Sequence, residues 1–188
     1  MTHIYFVRHA HPNYQTHDDA SRELSAKGKK DCAIVSEFFR DKTIDVVLSS
    51  PFKRAKDTVE ATAKEHGLDI RYIDDFRERK ISDDWIEDFE TYCRRQWADF
   101  SYKLEGGESL QEVLDRNKAA LTAVLKAYEG KSVVIGGHGT AISTLLYAYD
   151  SHFGRDGFQR VRRRMPWVVE FIFDGERFVS VQSHVYCE

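Results

Sequence analysis

Positive charge is in short supply in this chain of 188 residues: 28 Lys and Arg stand against 31 Asp and Glu, a formal net charge of -3. A general nucleic-acid binder carries a marked basic surplus, so no nucleic-acid partner is expected. Long apolar runs are missing too. None approaches the ~18 residues that cross a bilayer, so no membrane partner is expected. The opening Met1-Thr2-His3-Ile4-Tyr5-Phe6-Val7 has no basic leader and reads as a strand, which argues against secretion. Cysteine is limited to Cys32, Cys93 and Cys187, with no pair at a metal-ligand or redox spacing. A reduced, cytoplasmic protein is expected. Internal repeats and low-complexity linkers are absent as well.

What is present suits a globular fold, with 41% hydrophobic and 31% charged residues. A chain of this size buries most of its apolar surface without disulfides or a structural metal. A single domain over residues 1–188 is expected, with a helical insertion at about 81–107. The run Ile4 to Val7 is β-rich and stops at Arg8-His9. Ser25 then caps a helix reaching about Arg40. A second strand, Ile44 to Leu48, stops at Ser49-Ser50-Pro51, and a helix follows to Glu65 before His66-Gly67. Leu68 to Ile73 reads as a third strand.

Trp85, Phe89, Tyr92, Trp97 and Phe100 mark the insertion, a candidate substrate lid whose aromatics are expected mostly to fill core. Ser109 and Glu112 form a capping-box pattern before a long helix that Gly130 would end. Ser132 to Ile135 is a fourth strand, broken by Gly136-Gly137-His138-Gly139, with a helix from about Thr140. Trp167 to Phe173 and Phe178 to Val181 flank the turn Asp174-Gly175-Glu176-Arg177. Alternating strands and helices predict an α/β fold: a three-layer sandwich with a mostly parallel sheet, helices on both faces, and a C-terminal antiparallel hairpin.

Ligands of open α/β sheets bind beyond the carboxyl ends of the strands. Arg8-His9, Ser49-Ser50 to Arg54, and Gly137-His138-Gly139 follow three of the predicted strands. Two arginines and two histidines would therefore meet at one rim. That set suits a phosphate dianion, because arginine offers a planar fork of donors that stays charged.

These residues resemble the histidine phosphatase superfamily, which includes the phosphoglycerate mutases. Arg8-His9-Ala10 after an apolar strand is similar to its signature. Leu24-Ser25-Ala26-Lys27-Gly28, Leu48-Ser49-Ser50-Pro51 with Arg54-Ala55 and Thr58, and Phe76-Arg77-Glu78-Arg79 follow in the family's order. So do Gly106-Gly107-Glu108-Ser109-Leu110 and Gly137-His138-Gly139. The resemblance implies His9 as a nucleophile that becomes phosphorylated, Arg8, Arg54 and His138 as phosphate ligands, and Glu78 as proton donor to the leaving group. Ala10 and His11 stand where the family often has glycine and glutamate. Gln15 stands where an asparagine commonly contacts phosphate, with Asn13 nearby as the alternative.

The expected activity is hydrolysis of a small phosphate monoester through a phosphohistidine, with a small phosphorylated metabolite as partner and neither cofactor nor metal. The imidazole must attack as the neutral base, with its other nitrogen donating to a backbone carbonyl. His138, facing bound phosphate, could add a charged hydrogen bond. A metal hydrolase using His9 and His11 is a rival, as are a non-catalytic phosphate-binding module and a phosphoglycerate mutase. Against a mutase stands the insertion's charge, with seven acidic residues against Arg94, Arg95 and Lys103 between Asp83 and Gly107. An acidic lid disfavours small, multiply anionic substrates. The basic run Arg160-Val161-Arg162-Arg163-Arg164 reads as a solvated helix face, and neither the oligomeric state nor the substrate is legible.

Overall fold

The computed structural model describes residues 1–84 and 86–186; Trp85 and Cys187, both singled out above, lie outside them. Four parallel strands carry the sheet: β1 (Thr2–Arg8), β2 (Val46–Ser49), β3 (Ile70–Tyr72) and β4 (Ser132–Gly137). β5 (Trp167–Asp174) and β6 (Arg177–Tyr186) form the C-terminal antiparallel hairpin, and β5 also pairs antiparallel with β1. The strand order is β3-β2-β4-β1-β5-β6. β1 and β4 are buried on both faces, which is why they read as continuous apolar runs.

Neighbouring residues of β1 feed opposite cores. Tyr5 and Val7 pack with Val35 and Phe39 of α1 (Ala26–Phe39) and Val59 of α2 (Lys53–Glu65). Ile4 and Phe6 belong to a second core, which takes in helices placed after the insertion. The insertion contributes α3 (Phe89–Ala98), and beyond it come α4 (Leu110–Ala127) and α5 (Gly139–Tyr149). Leu121 of α4 and Ile142 of α5 pack in the second core with Ile4 and Phe6. The result is the expected three-layer α/β arrangement. Ser25 caps α1 by accepting from Gly28 N, and Ser109 with Glu112 completes the capping box of α4.

Three features depart from the sequence reading. β4 does not break at Gly136 but runs through Gly137, pairing with Val7 and Arg8 of β1 and Ser49 of β2. A Cβ on Gly136 would lie 2.7 Å from Ser49 Oγ and 3.0 Å from Ala55 O, so Gly136 serves close approach within the sheet and to α2. Among the described residues the insertion is helical only over α3, which starts where Asp88 accepts from Thr91 N; those ahead of it form no regular element. The helix expected over the basic run is displaced: α6 (Gly154–Val161) begins upstream of the run and ends inside it. The basic run straddles its end, with Val161 buried among the arginines.

Tyr92 and Trp97 of α3 are buried, as expected of the insertion's aromatics, whereas Phe89 is exposed. The Trp97 ring lies 5.4 Å from that of Phe158 on α6 and 6.0 Å from that of Tyr147 on α5. Thus α3 and α6 meet in a small, largely aromatic core that Leu110 of α4 and Tyr147 of α5 complete. No helix among the described residues is long and apolar enough to cross a membrane.

Candidate active site

Because β2, β4 and β1 are adjacent and parallel, their carboxyl ends lie side by side. His9 N donates to Gly137 O at 3.0 Å and Ser50 N to Gly136 O at 2.8 Å, which ties all three strand ends together. The His9 ring is fixed from its own loop. Nδ1 donates to Ala10 O at 2.8 Å, Ala10 N donates to Thr58 Oγ1 at 3.0 Å, and Thr58 Oγ1 donates to Arg54 O at 2.7 Å. A carbonyl only accepts, so Nδ1 carries the proton and Nε2 keeps its lone pair. Burial above all, then Arg54 and Arg8, hold the imidazole well below its ordinary pKa, so it is neutral at pH 7.

His138 follows β4 and is fully buried, its ring centroid 5.4 Å from that of His9 and its Nε2 hydrogen-bonded to Ser50 Oγ at 2.8 Å. Burial, Arg54 and His9 push its pKa well below the usual value. The free protein therefore holds it neutral, and a bound dianion would act in the opposite direction. Arg54, only 2% exposed, extends both terminal nitrogens to Asp19: Nη1 donates to the backbone oxygen, and Nη2 lies 3.1 Å from Oδ1. Its guanidinium lies 5.3 Å from the Phe52 ring centroid, and that ring packs edge-on to His138.

Arg8 Nη1 donates to Val161 O at 2.9 Å and Arg164 O at 3.2 Å, so the end of α6 holds it. Room for this comes from Gly139, where a Cβ would meet Arg8 Cζ at 2.8 Å. Arg8 Nε is buried with no hydrogen-bond partner among the described residues, and so is His138 Nδ1. Glu78 reaches the first turn of α5, directly after His138. Its Oε2 accepts from Thr140 N at 3.0 Å, while Oε1 accepts from Ala141 N at 3.3 Å and Arg79 N at 2.8 Å. These three bonds fix the Glu78 carboxyl group at the N-terminus of α5.

Sequence reasoning missed the supports of this site. Arg116 of α4 donates to Asp75 O, Arg77 O and Glu78 O, and so fixes the backbone that carries the acid. Glu108 pairs with Arg116 at 2.8 Å and Arg77 at 2.9 Å. Burial pushes the Glu108 pKa up, but the bonds from Arg116 and Lys80 N outweigh that and leave it lowered. The available signal was an arginine one residue from buried Asn117 on a helix whose other inward positions are apolar.

The loop after His9 places the remaining candidates further out. His11 Nδ1 is hydrogen-bonded to Ser25 Oγ at 3.0 Å and its ring meets Tyr14. Asn13 Nδ2 donates to Glu23 Oε1 at 2.9 Å, and Gln15 is exposed in the turn that follows. These residues line an open cleft of about 680 Å³ that does not include His9, Arg54 or His138. Among the described residues, no three His, Cys, Asp or Glu side chains gather into a possible metal site.

Residues 4–184 match the pattern of the histidine phosphatase superfamily (branch 1). The chain is 33% identical over 150 residues to a Bacillus subtilis (strain 168) protein named "Uncharacterized phosphatase PhoE", covering 78% of this chain and 76% of that one. It is 30% identical over 158 residues to "Probable phosphoglycerate mutase GpmB" of Salmonella choleraesuis (strain SC-B67), covering 78% and 74%. Its fold superposes on mycobacterial glucosyl-3-phosphoglycerate phosphatase, solved with VO3, with a TM-score of 0.77, 19% identity and 97% of each chain covered.

Proposed function

The chain belongs to the histidine phosphatase superfamily, and on that premise we propose that it hydrolyses small phosphate monoesters through a phosphohistidine at His9. The observation that carries this reading is the state of His9: buried, neutral, protonated at Nδ1 by geometry, and set beside Arg8, Arg54 and His138. In-line attack by Nε2 on phosphorus forms the N–P bond as the bond to the leaving oxygen breaks, and Glu78 supplies that oxygen's proton. Water then attacks the phosphohistidine, Glu78 takes the water's proton, and the imidazole leaves. Arg8 and Arg54 stabilise the equatorial oxygens.

Two buried nitrogens of the site, Arg8 Nε and His138 Nδ1, have no hydrogen-bond partner among the described residues and support a phosphate ligand, since its oxygens would satisfy both. Gln15 is the better candidate for the outer phosphate contact, because the Asn13 amide is already bonded to Glu23. Side-chain cations do the work a metal would otherwise do, so no metal or cofactor enters. Residues 1–188 act as one domain carrying the insertion at about 81–107. Cys32 and Cys93 are free and buried, in keeping with the reducing cytoplasm.

A screen of phosphorylated metabolites, read by phosphate release with and without chelator, tests the reading. Release from at least one substrate, unaffected by chelator, is expected. The second reading, a mutase, is favoured by the similarity to GpmB. Interconversion of 3- and 2-phosphoglycerate faster than any phosphate release would decide for it.

A further inference from the structure

The two outer nitrogens that Arg54 would turn toward a phosphate are occupied by the protein's own oxygens. Asp19 supplies both, its backbone carbonyl to Nη1 and its carboxylate to Nη2 at 3.1 Å. The same Oδ1 also accepts from Arg22 Nη1 at 2.8 Å. Arg22 in turn ties up the turn around it, donating from Nε to Thr16 O at 2.7 Å and from Nη2 to His17 O at 2.9 Å. One carboxylate is therefore shared between a buried arginine of the site and a half-buried arginine of the loop. The Asp19 side chain is 40% exposed, against 3% for Arg54, so the anion lies on the solvent side of the pair.

We infer that Asp19 is a built-in competitor for the phosphate, an internal anion that shares the Arg54 fork and weakens the enzyme's hold on its inorganic product. This rests on the phosphohydrolase reading above. A dianion entering the site meets the positive charge of Arg54 partly neutralised, and it meets direct repulsion from the Asp19 carboxylate. Giving up Arg54 costs Asp19 little, because Arg22 still holds the same oxygen. The exchange can therefore run in both directions: substrate displaces the carboxylate, and the returning carboxylate helps expel phosphate. An enzyme whose product resembles its substrate's reacting group gains from such a device, since tight ground-state binding of phosphate slows turnover.

The test is direct binding of inorganic phosphate, measured by titration calorimetry on the full chain at fixed ionic strength. Asp19→Asn removes the charge but keeps an oxygen for both arginines. It should bind phosphate about five- to twentyfold more tightly than wild type, and phosphate should inhibit its turnover at correspondingly lower concentration. Asp19→Glu restores the charge and should stay within about threefold of wild type. Asp18→Asn removes a neighbouring exposed charge that does not touch Arg54, and it should change little. A merely structural loss would not improve affinity. Unchanged or weaker phosphate binding in Asp19→Asn, or equal tightening in Asp18→Asn, overturns the inference. Should Asp19→Asn fold poorly, Asp19→Ser serves the same comparison. Failure of the wild type itself to bind phosphate or vanadate would instead sink the underlying phosphohydrolase reading.

Discussion

The rim around His9 and the cap formed by α3 and α6 touch through Arg8, yet they are held by different forces. At the rim, backbone groups of three strand ends fix His9 and Ser50, and the side chains of His9, Arg54 and His138 are nearly or wholly out of solvent. In the cap, aromatic rings pack around Trp97, while the polar joint is an exposed cluster in which Glu90 of α3 meets Arg155 and Gln159 of α6 and Arg162 just after it. Preorganised dipoles and charges lower a barrier only where they cannot relax, and the rim meets that condition. The cap's polar joint is different in kind: its exposed ion pairs are screened by solvent and contribute little, so the aromatic core around Trp97 holds it together.

The sharpest way to break this comparison is to remove the nucleophile. His9→Ala should lower turnover at least about 10⁴-fold while leaving the melting transition in place, because the Gly137 bond uses the His9 backbone. Rapid quench of the wild type with labelled substrate should trap an acid-labile, base-stable adduct that the variant lacks. Full activity in the variant would remove His9 from the mechanism. Next in size is the cap's own core. Trp97→Ala should cost roughly 3–5 kcal/mol of stability, read by urea unfolding, yet the folded variant should keep kcat within about tenfold. A rate collapse at full folding would show that the cap contributes to the chemistry as the rim does.

Most of the rim was legible in the sequence because its residues stand immediately after strands, where topology alone brings Arg8, His9, Arg54 and His138 together. The glycines were misread as a break because their role lies between neighbours: Gly136 makes room for Ser49 and α2, which no local pattern announces. The cap was harder for a related reason. Counting charge along 83–107 gave an acidic surplus, but Glu90 finds Arg155 and Arg162 some seventy residues away, and Asp83 finds Lys80 just outside the counted stretch. Asp19 escaped notice for the same cause, since its meaning depends on Arg54 arriving from α2.

Arg54→Ala should lose roughly 3 kcal/mol of transition-state stabilisation, about a hundredfold in kcat even at saturating substrate. A change confined to KM would assign Arg54 to ground-state binding. Smaller again is the pH effect. His9 is held well below its ordinary value of 6.5 by burial and the two arginines, so the base form persists as pH falls. After correction for the substrate's own ionisation, the acid limb of kcat/KM should lie below that value. A limb at or above it would mean that the rim is more hydrated than its burial implies.

The smallest expected effect sharpens the comparison from the side of the cap. Glu90 is half-exposed, and its partners Arg155 and Arg162 are also open to solvent. Glu90→Gln keeps an acceptor for Arg162 and Gln159 but removes the charge. Exposed pairs contribute little to stability and are screened by salt, so the melting temperature should hardly move. The kinetic effect should have a definite sign all the same. Without Glu90, Arg162 is left unneutralised just after the helix end that holds Arg8, which makes the approach more attractive to a dianionic substrate. KM should therefore fall, by no more than about threefold, and the difference should vanish in about 0.5 M salt. A tenfold loss of kcat that persists in high salt would put Glu90 among the groups that fix the reacting geometry, and the cap could no longer be set apart from the rim.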